Sequence, residues 1–353
     1  MHKTCLFFLN RCIRLALLCS AAASFIAQAQ NAGPNEKIYM YKGADRDQRL
    51  IEKAKQEGTL VFYTSLPTER VTPLAKVFET KYGIKMELWR ANSDKILQRA
   101  VSEAQGKHYS VDVIETDGPV VESLAREKLL SVFYSPYIAD LPSFGIPAHR
   151  LWISDRMNVY VMAYNTNKVR KEELPKNFEG FLDPKWKGRL GIESADSEWM
   201  AAFIKIRGQE QGMNFFKKLS EMRPDVRTGH ILLAELVAAG EIPIGLTVYS
   251  STVETIKQKG APIDWVALDP VIARPQGVGV AKNAPHPHAA LLFADFVLSP
   301  EGQQLLLSVG VIPTSLKVKT NLNNFKYDMM DSAAALDAGD KWDKIWKELI
   351  LKK

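Results

Sequence analysis

The chain has 353 residues, 46 Lys and Arg against 40 Asp and Glu, a formal net charge of +6, and three cysteines. A chain this long predicts two domains and buries enough apolar surface to need no disulfide staples. Its basic and acidic residues are interleaved, with no basic block of the kind that marks a nucleic-acid surface. Beyond the N-terminus, no apolar run approaches the roughly 18 residues of a membrane span.

The chain opens with His2, Lys3, Arg11 and Arg14 and no acidic residue, then runs apolar from Leu15 to Ile26 and reaches Ala27-Gln28-Ala29. A basic, then apolar, then small-x-small pattern predicts a secretory signal over residues 1–29 and a secreted protein. Cys5, Cys12 and Cys19 all fall inside that signal. The mature chain is therefore expected to be free of thiols and disulfides, which suits an oxidising compartment. Leu18 precedes Cys19 where a lipid-anchor site wants a small residue, so no lipid anchor is expected.

The pattern from Asp45 onward alternates helix and strand. Helical periodicity covers Asp45–Gln56, Val71–Tyr82, Ser93–Gln105 and Pro119–Lys128, the first two closed by Gly58 and Gly83. Apolar, β-branched runs at Thr59–Tyr63, Ile84–Trp89 and Val111–Glu115 read as strands between them. This is β-α-β-α-β with short connections, hence a parallel sheet covered by helices. Asn158–Tyr164 reads as a further strand, and a second α/β pattern starts near Leu190. It continues through helices at Glu198–Gly208, Gln211–Glu221, Ile231–Ala239 and Ser251–Lys259, with strands at Ile242–Val248 and Ile263–Leu268. Gly277–Ala281 reads as a late strand, followed by apolar helices at His288–Leu298 and Pro300–Val309. Lys341–Leu351 is an amphipathic helix expected to dock on the body, with Trp342 and Trp346 on one face.

Several phrases, in order, resemble a known family. They are Glu57–Ser65 at the first strand, Phe78–Tyr82, Val111–Ile114, Tyr164–Asn167, Leu182–Arg189, Ala284–Ala290 and Leu298–Gln303. Together they are similar to the periplasmic binding proteins of the ferric-iron, thiamine and sugar-phosphate group of ABC importers, from about Gly58 to Pro313. The resemblance implies a type 2 periplasmic binding protein: two α/β lobes, two crossing strands, and ligand in the cleft between. It places lobe 1 at residues 37–160 and 270–353 and lobe 2 at 161–269. It implies a monomer that captures a small molecule and delivers it to an inner-membrane ABC permease with its ATPase. No cofactor, resident metal or catalytic residue is expected.

Ligands on such sheets sit beyond the carboxyl ends of the strands. That directs attention to Thr64 and Ser65, to Arg90 and Ser93, and to Thr116 and Asp117. On the second lobe it selects Ser194 and Asp196, then Tyr249 and Ser250. These residues offer hydroxyls, a guanidinium and helix N-termini, which suit an organic or phosphorylated anion. A ferric-iron carrier is the alternative, because Fe(III) wants anionic oxygen ligands. Ferric members commonly carry a tyrosine pair and an early histidine, whereas this chain reads Val248-Tyr249-Ser250 and Ser65-Leu66-Pro67. A secreted hydrolase on a two-lobed scaffold is the alternative of another class. No Gly-x-Ser-x-Gly or His-Glu-x-x-His motif supports it.

Overall fold

The computed structural model describes residues 33–351. The expected leader and its cleavage site lie outside them. Strands β1 (Thr59–Thr64), β2 (Lys85–Arg90) and β3 (Val113–Asp117) form a parallel unit in the order β2-β1-β3. β4 (Leu130–Ser131) and the long β10 (Ile272–Ala281) extend it antiparallel. The core of this lobe is aromatic. Phe293 lies 4.7 Å from Phe62 and 5.2 Å from Phe78, ring centre to ring centre. The helix Pro287–Leu298 is buried along almost its whole length. This explains its continuous apolar sequence, since a helix covered on all sides needs no polar face.

The second lobe uses β6 (Leu190–Glu193), β7 (Asp225–Arg227) and β8 (Ile244–Tyr249) as its parallel unit. Its core gathers Trp199, Phe203, Phe215 and Phe216. The Pro-, Gly- and aromatic-rich stretch before β6 folds as short 3-10 turns, each burying an aromatic: Phe178, Phe181 and Trp186.

β5 (Ile153–Asn165) joins the lobes. Its first half pairs with β10, and its second half pairs with β8 and with β9 (Ile263–Val266). The chain returns through Ala267–Val271 into β10, so two segments cross, as the resemblance implied. β5 is longer than the sequence suggests. Ser154, Asp155 and Arg156 interrupt the apolar pattern, yet all three are buried within the strand.

Asn92 caps the helix Ser93–Gln105, accepting from the Lys95 backbone N–H at 3.1 Å. One expectation needs correction. The C-terminal helix Gly339–Trp346, expected with lobe 1, packs on the middle of the chain: Trp346 lies 6.3 Å from Phe216. Its indole N–H donates to the Ser194 carbonyl at 2.7 Å. Before that helix, β11 (Ile312–Pro313) and β12 (Asp328–Met329) pair with β5 and β10. The short helix Ser332–Asp337 then crosses Gly118 so closely that a Cβ there would meet Ser332 Oγ and Pro275.

Trp346→Ala removes a buried indole from this core, a change that typically costs ~3–5 kcal/mol. The melting temperature should fall by several degrees, and limited proteolysis should cut first in the C-terminal segment.

Candidate ligand-binding cleft

The period-2 alternation of β5 builds the floor between the lobes. Met157, Val159 and Val161 point into an apolar cluster. Arg156, Asn158 and Tyr160 therefore share the opposite face. In β10, Gln276 is paired with Arg156, and Arg274 with Asn158. The bulge at Asp155, where Gln276 faces Arg156 but Gly277 faces Ser154, restarts the register next to this floor.

On the first-lobe side, Arg156 is salt-bridged to Glu115 at 2.7 Å, with both side chains buried. It also donates to Ser65 Oγ at 3.4 Å. Thr64 is fully buried and committed: its hydroxyl donates to Glu115 at 2.5 Å and accepts from the Leu66 N–H at 2.9 Å. Asp155 lies beneath, its carboxyl pushed well up by burial and by the neighbouring Glu115. The helix Thr68–Tyr82 begins here after Pro67, which supplies no side-chain cap. Arg70 is in its first turn, and its pKa is lowered by burial and then by the charge of Arg156. Thr116 donates to Ser93 Oγ at 2.9 Å, and Asp117 caps the helix Gly118–Arg126. Arg90 is exposed at the end of β2.

On the second-lobe side, Arg274 is central. It donates to the Tyr249 hydroxyl at 2.7 Å and lies 3.5 Å from Glu198. Tyr160 packs edge-on to Tyr249 with ring centres 5.1 Å apart, and the His230 ring lies 3.9 Å from that of Tyr249. His230 Nδ1 lies 2.9 Å from the Thr247 carbonyl, which can only accept, so Nδ1 carries the proton and Nε2 is the free acceptor. Nε2 is 3.4 Å from Asp196 Oδ1. Burial pushes the Asp196 carboxyl well up, reinforced by Glu193, and pushes the His230 imidazole down to about 4. At neutral pH the ring is therefore neutral and this contact is not an ion pair. Glu193 accepts from the Ala195 N–H at 2.5 Å and the Gly229 N–H at 2.8 Å.

The expected residues divide. Ser65, Asp196 and Tyr249 lie at this floor or its walls. Ser194 lies at the rim, its hydroxyl 3.0 Å from Thr228 Oγ1. Ser250 is fully buried and spends its hydroxyl on the Leu322 carbonyl at 3.3 Å. Arg70, Arg156, Asn158, Tyr160, Arg274 and Gln276 lie here too and were not singled out from sequence. The alternation of Asn158 and Tyr160 with apolar neighbours was the available signal. The single tyrosine at Val248-Tyr249-Ser250 has a second phenol beside it in space, Tyr160 of β5, which no Tyr-Tyr dipeptide reveals. Buried polar atoms without a protein partner concentrate here: Tyr160 Oη, Asp196 Oδ2, Gln276 Nε2 and Glu198 Oε2. Such atoms are rare in native cores, and their clustering marks a place that a polar solute would complete.

A profile described as bacterial extracellular solute-binding protein matches residues 73–330. The chain belongs to that family. Among relatives of this solute-binding protein, the major ferric iron-binding protein of Neisseria meningitidis is 25% identical over 263 residues, covering 71% of this chain and 78% of that one. Iron uptake protein A1 of Synechocystis is 26% identical, covering 75% and 78%. Among solved structures, iron-bound HitA from Pseudomonas aeruginosa superposes with TM-score 0.72 at 24% identity, covering 82% of this chain and 99% of its own. AfuA from Actinobacillus pleuropneumoniae with fructose-6-phosphate gives 0.73 at 24%, covering 84% and 99%. These likenesses establish the two-lobed periplasmic-binding fold, and the family establishes a solute-binding component of ABC import. Among the described residues, no helix is long and apolar enough to cross a membrane.

Burial raises the Glu198 carboxyl to about 7 against an ordinary 4.5, with Arg274 opposing. The folded state thus binds this proton more tightly than the unfolded chain, so the contribution to stability is full below pH 4.5 and lost as pH rises through 7. In chelator-treated protein, Glu198→Gln should raise the melting temperature above pH 7 and leave it nearly unchanged below pH 4.5.

Proposed function

We propose that this solute-binding protein captures an anionic solute, an organic acid or a phosphorylated molecule, in the periplasm. It hands that solute, unconverted and as a monomeric carrier, to an inner-membrane permease driven by its ATPase. The observation that supports this reading is the Arg70–Arg156 pair at an uncapped helix start. Burial, and then the charge of Arg156, lower the Arg70 pKa. Arg156 has Glu115 as its partner. Among the described residues Arg70 makes no salt bridge; Glu69 is the acidic neighbour whose charge acts on it. The first N–H groups of the helix Thr68–Tyr82 and Ser65 Oγ complete an environment that favours negative charge. Lobe closure over the solute would present the closed form to the permease.

A second reading is ferric iron, favoured by the phenols of Tyr160 and Tyr249 side by side and by the iron-binding relatives. One experiment separates the two. Metal-free protein is titrated calorimetrically with inorganic phosphate, a hexose phosphate and citrate, and separately with a ferric chelate. The anion reading expects heat and a raised melting temperature with at least one anion alone. Loss of a charged hydrogen bond is worth ~1.5–3 kcal/mol, so Arg70→Ala should weaken that anion about tenfold or more. The iron reading instead expects a visible phenolate-to-iron absorption band that Tyr249→Phe abolishes and Arg70→Ala preserves. Silence from every anion together with that band would overturn the anion reading.

A further inference from the structure

The second-lobe wall carries a feature the anion reading does not use. Glu193, Asp196 and His230 each offer a ligand atom, and these atoms lie within 4.8 Å of one another. We infer that this triad is a binding site for a divalent d-block cation of the zinc class, taken up beside the solute. Four observations carry the inference.

First, the imidazole is prepared as a ligand. Its Nδ1–H is spent on the Thr247 carbonyl at 2.9 Å, which leaves the Nε2 lone pair directed at the carboxylates. Metal-binding histidines are held by such a hydrogen bond from the other ring nitrogen. Second, Asp196 is 2% exposed, and its Oδ2 has no hydrogen-bond partner. A buried carboxylate oxygen without a donor is costly unless a proton or a cation serves it. Third, the Glu193 carboxylate is held rigid by the Ala195 and Gly229 N–H groups, each using one lone pair of a different oxygen. Ser194 Oγ also donates to the oxygen that Gly229 holds, at 3.3 Å, so the oxygen held by Ala195 keeps the free lone pair, and the ligand needs no reorganisation.

Fourth, charge balance favours a dication. Glu193, Asp196 and Glu198 surround a single guanidinium, that of Arg274, which lies 3.5 Å from Glu198. Three acidic side chains thus share one guanidinium, an excess of anionic over cationic groups that a divalent ion would offset. The set of one nitrogen and two carboxylates suits zinc, cobalt or nickel, and three protein ligands leave a position for water or the solute. The other described histidines differ: His286 and His288 each have Nδ1 on one carboxylate, Asp112 and Glu57, His149 has Nε2 on Glu122, and His108 is exposed.

The test uses the mature chain stripped with a chelator and then titrated with ZnCl₂ against a chromophoric competitor. CoCl₂ uptake is followed in parallel by its visible d–d bands. One equivalent of zinc is expected to bind, with cobalt bands characteristic of a nitrogen–oxygen ligand set. His230→Ala and Asp196→Asn should each weaken zinc by tenfold or more, while the exposed His108→Ala should not. Asp196→Asn is nearly isosteric and keeps the fold testable should His230→Ala unfold, with far-ultraviolet dichroism as the check. No stoichiometric uptake by the native chain, or unchanged affinity in the folded Asp196→Asn protein, overturns the inference. The Arg70→Ala protein separates the two proposals: retained zinc uptake with lost anion binding supports both sites as distinct. Zinc uptake without any anion binding in the native chain sinks the anion reading alone.

Discussion

The alternation of one strand governs the site. β5 crosses between the lobes, and its two faces have opposite duties. Met157, Val159 and Val161 anchor it in an apolar cluster, and this forces Arg156, Asn158 and Tyr160 to the other side. A slip of one residue would exchange the two sets and bury a guanidinium in hydrocarbon. The apolar face therefore specifies the polar one. β10 matches it in register, and Arg274 and Gln276 reach the floor through the same rule. Because β5 belongs to the sheets of both lobes, a change in their angle is felt at these side chains first.

A second constraint is electrostatic. The two walls of the cleft differ in character. The first-lobe wall sets Arg70 and Arg156 against Glu115, with the Asp155 carboxyl pushed well up by burial. The second-lobe wall sets Glu193, Asp196 and Glu198 against Arg274. The first carries two guanidiniums, and the second carries three carboxyl groups around one. Phosphorylated sugar and iron are both held by proteins of this fold, in the AfuA and HitA structures. A scaffold of strand ends and helix starts serves either chemistry, depending on which side chains line the two walls.

The C-terminal segment changes the picture of lobe assignment. The sequence resemblance carries it with the first lobe, yet it touches both. Asp337 pairs with Arg126 on the first side, while Asp343 accepts from Ser197 at 2.5 Å and Trp346 reaches the Ser194 carbonyl on the second. These contacts brace the loop that carries Asp196, so the end of the chain steadies the wall formed near its middle.

Much of this was legible in the sequence. Glycine-terminated amphipathic helices and β-branched runs predict the α/β pattern, because local periodicity and caps reflect which face must be buried. The carboxyl-end rule then directs attention to Ser65, Asp196 and Tyr249, which the fold places between the lobes. What the sequence could not show is which distant residues meet. Tyr160 and Tyr249 are far apart in the chain and adjacent in space, and His230 reaches Asp196 from another loop. Arg156 was hidden for a different reason: it is a charged residue in the middle of a buried strand, and hydropathy reads that as an interruption. Only the tertiary structure supplies Glu115 to pair with it and a cleft to face. Local sequence determined the elements, since burial of apolar faces is a nearest-neighbour problem. The pairing of charges and phenols across two lobes was decided by chain crossings, which no local pattern records.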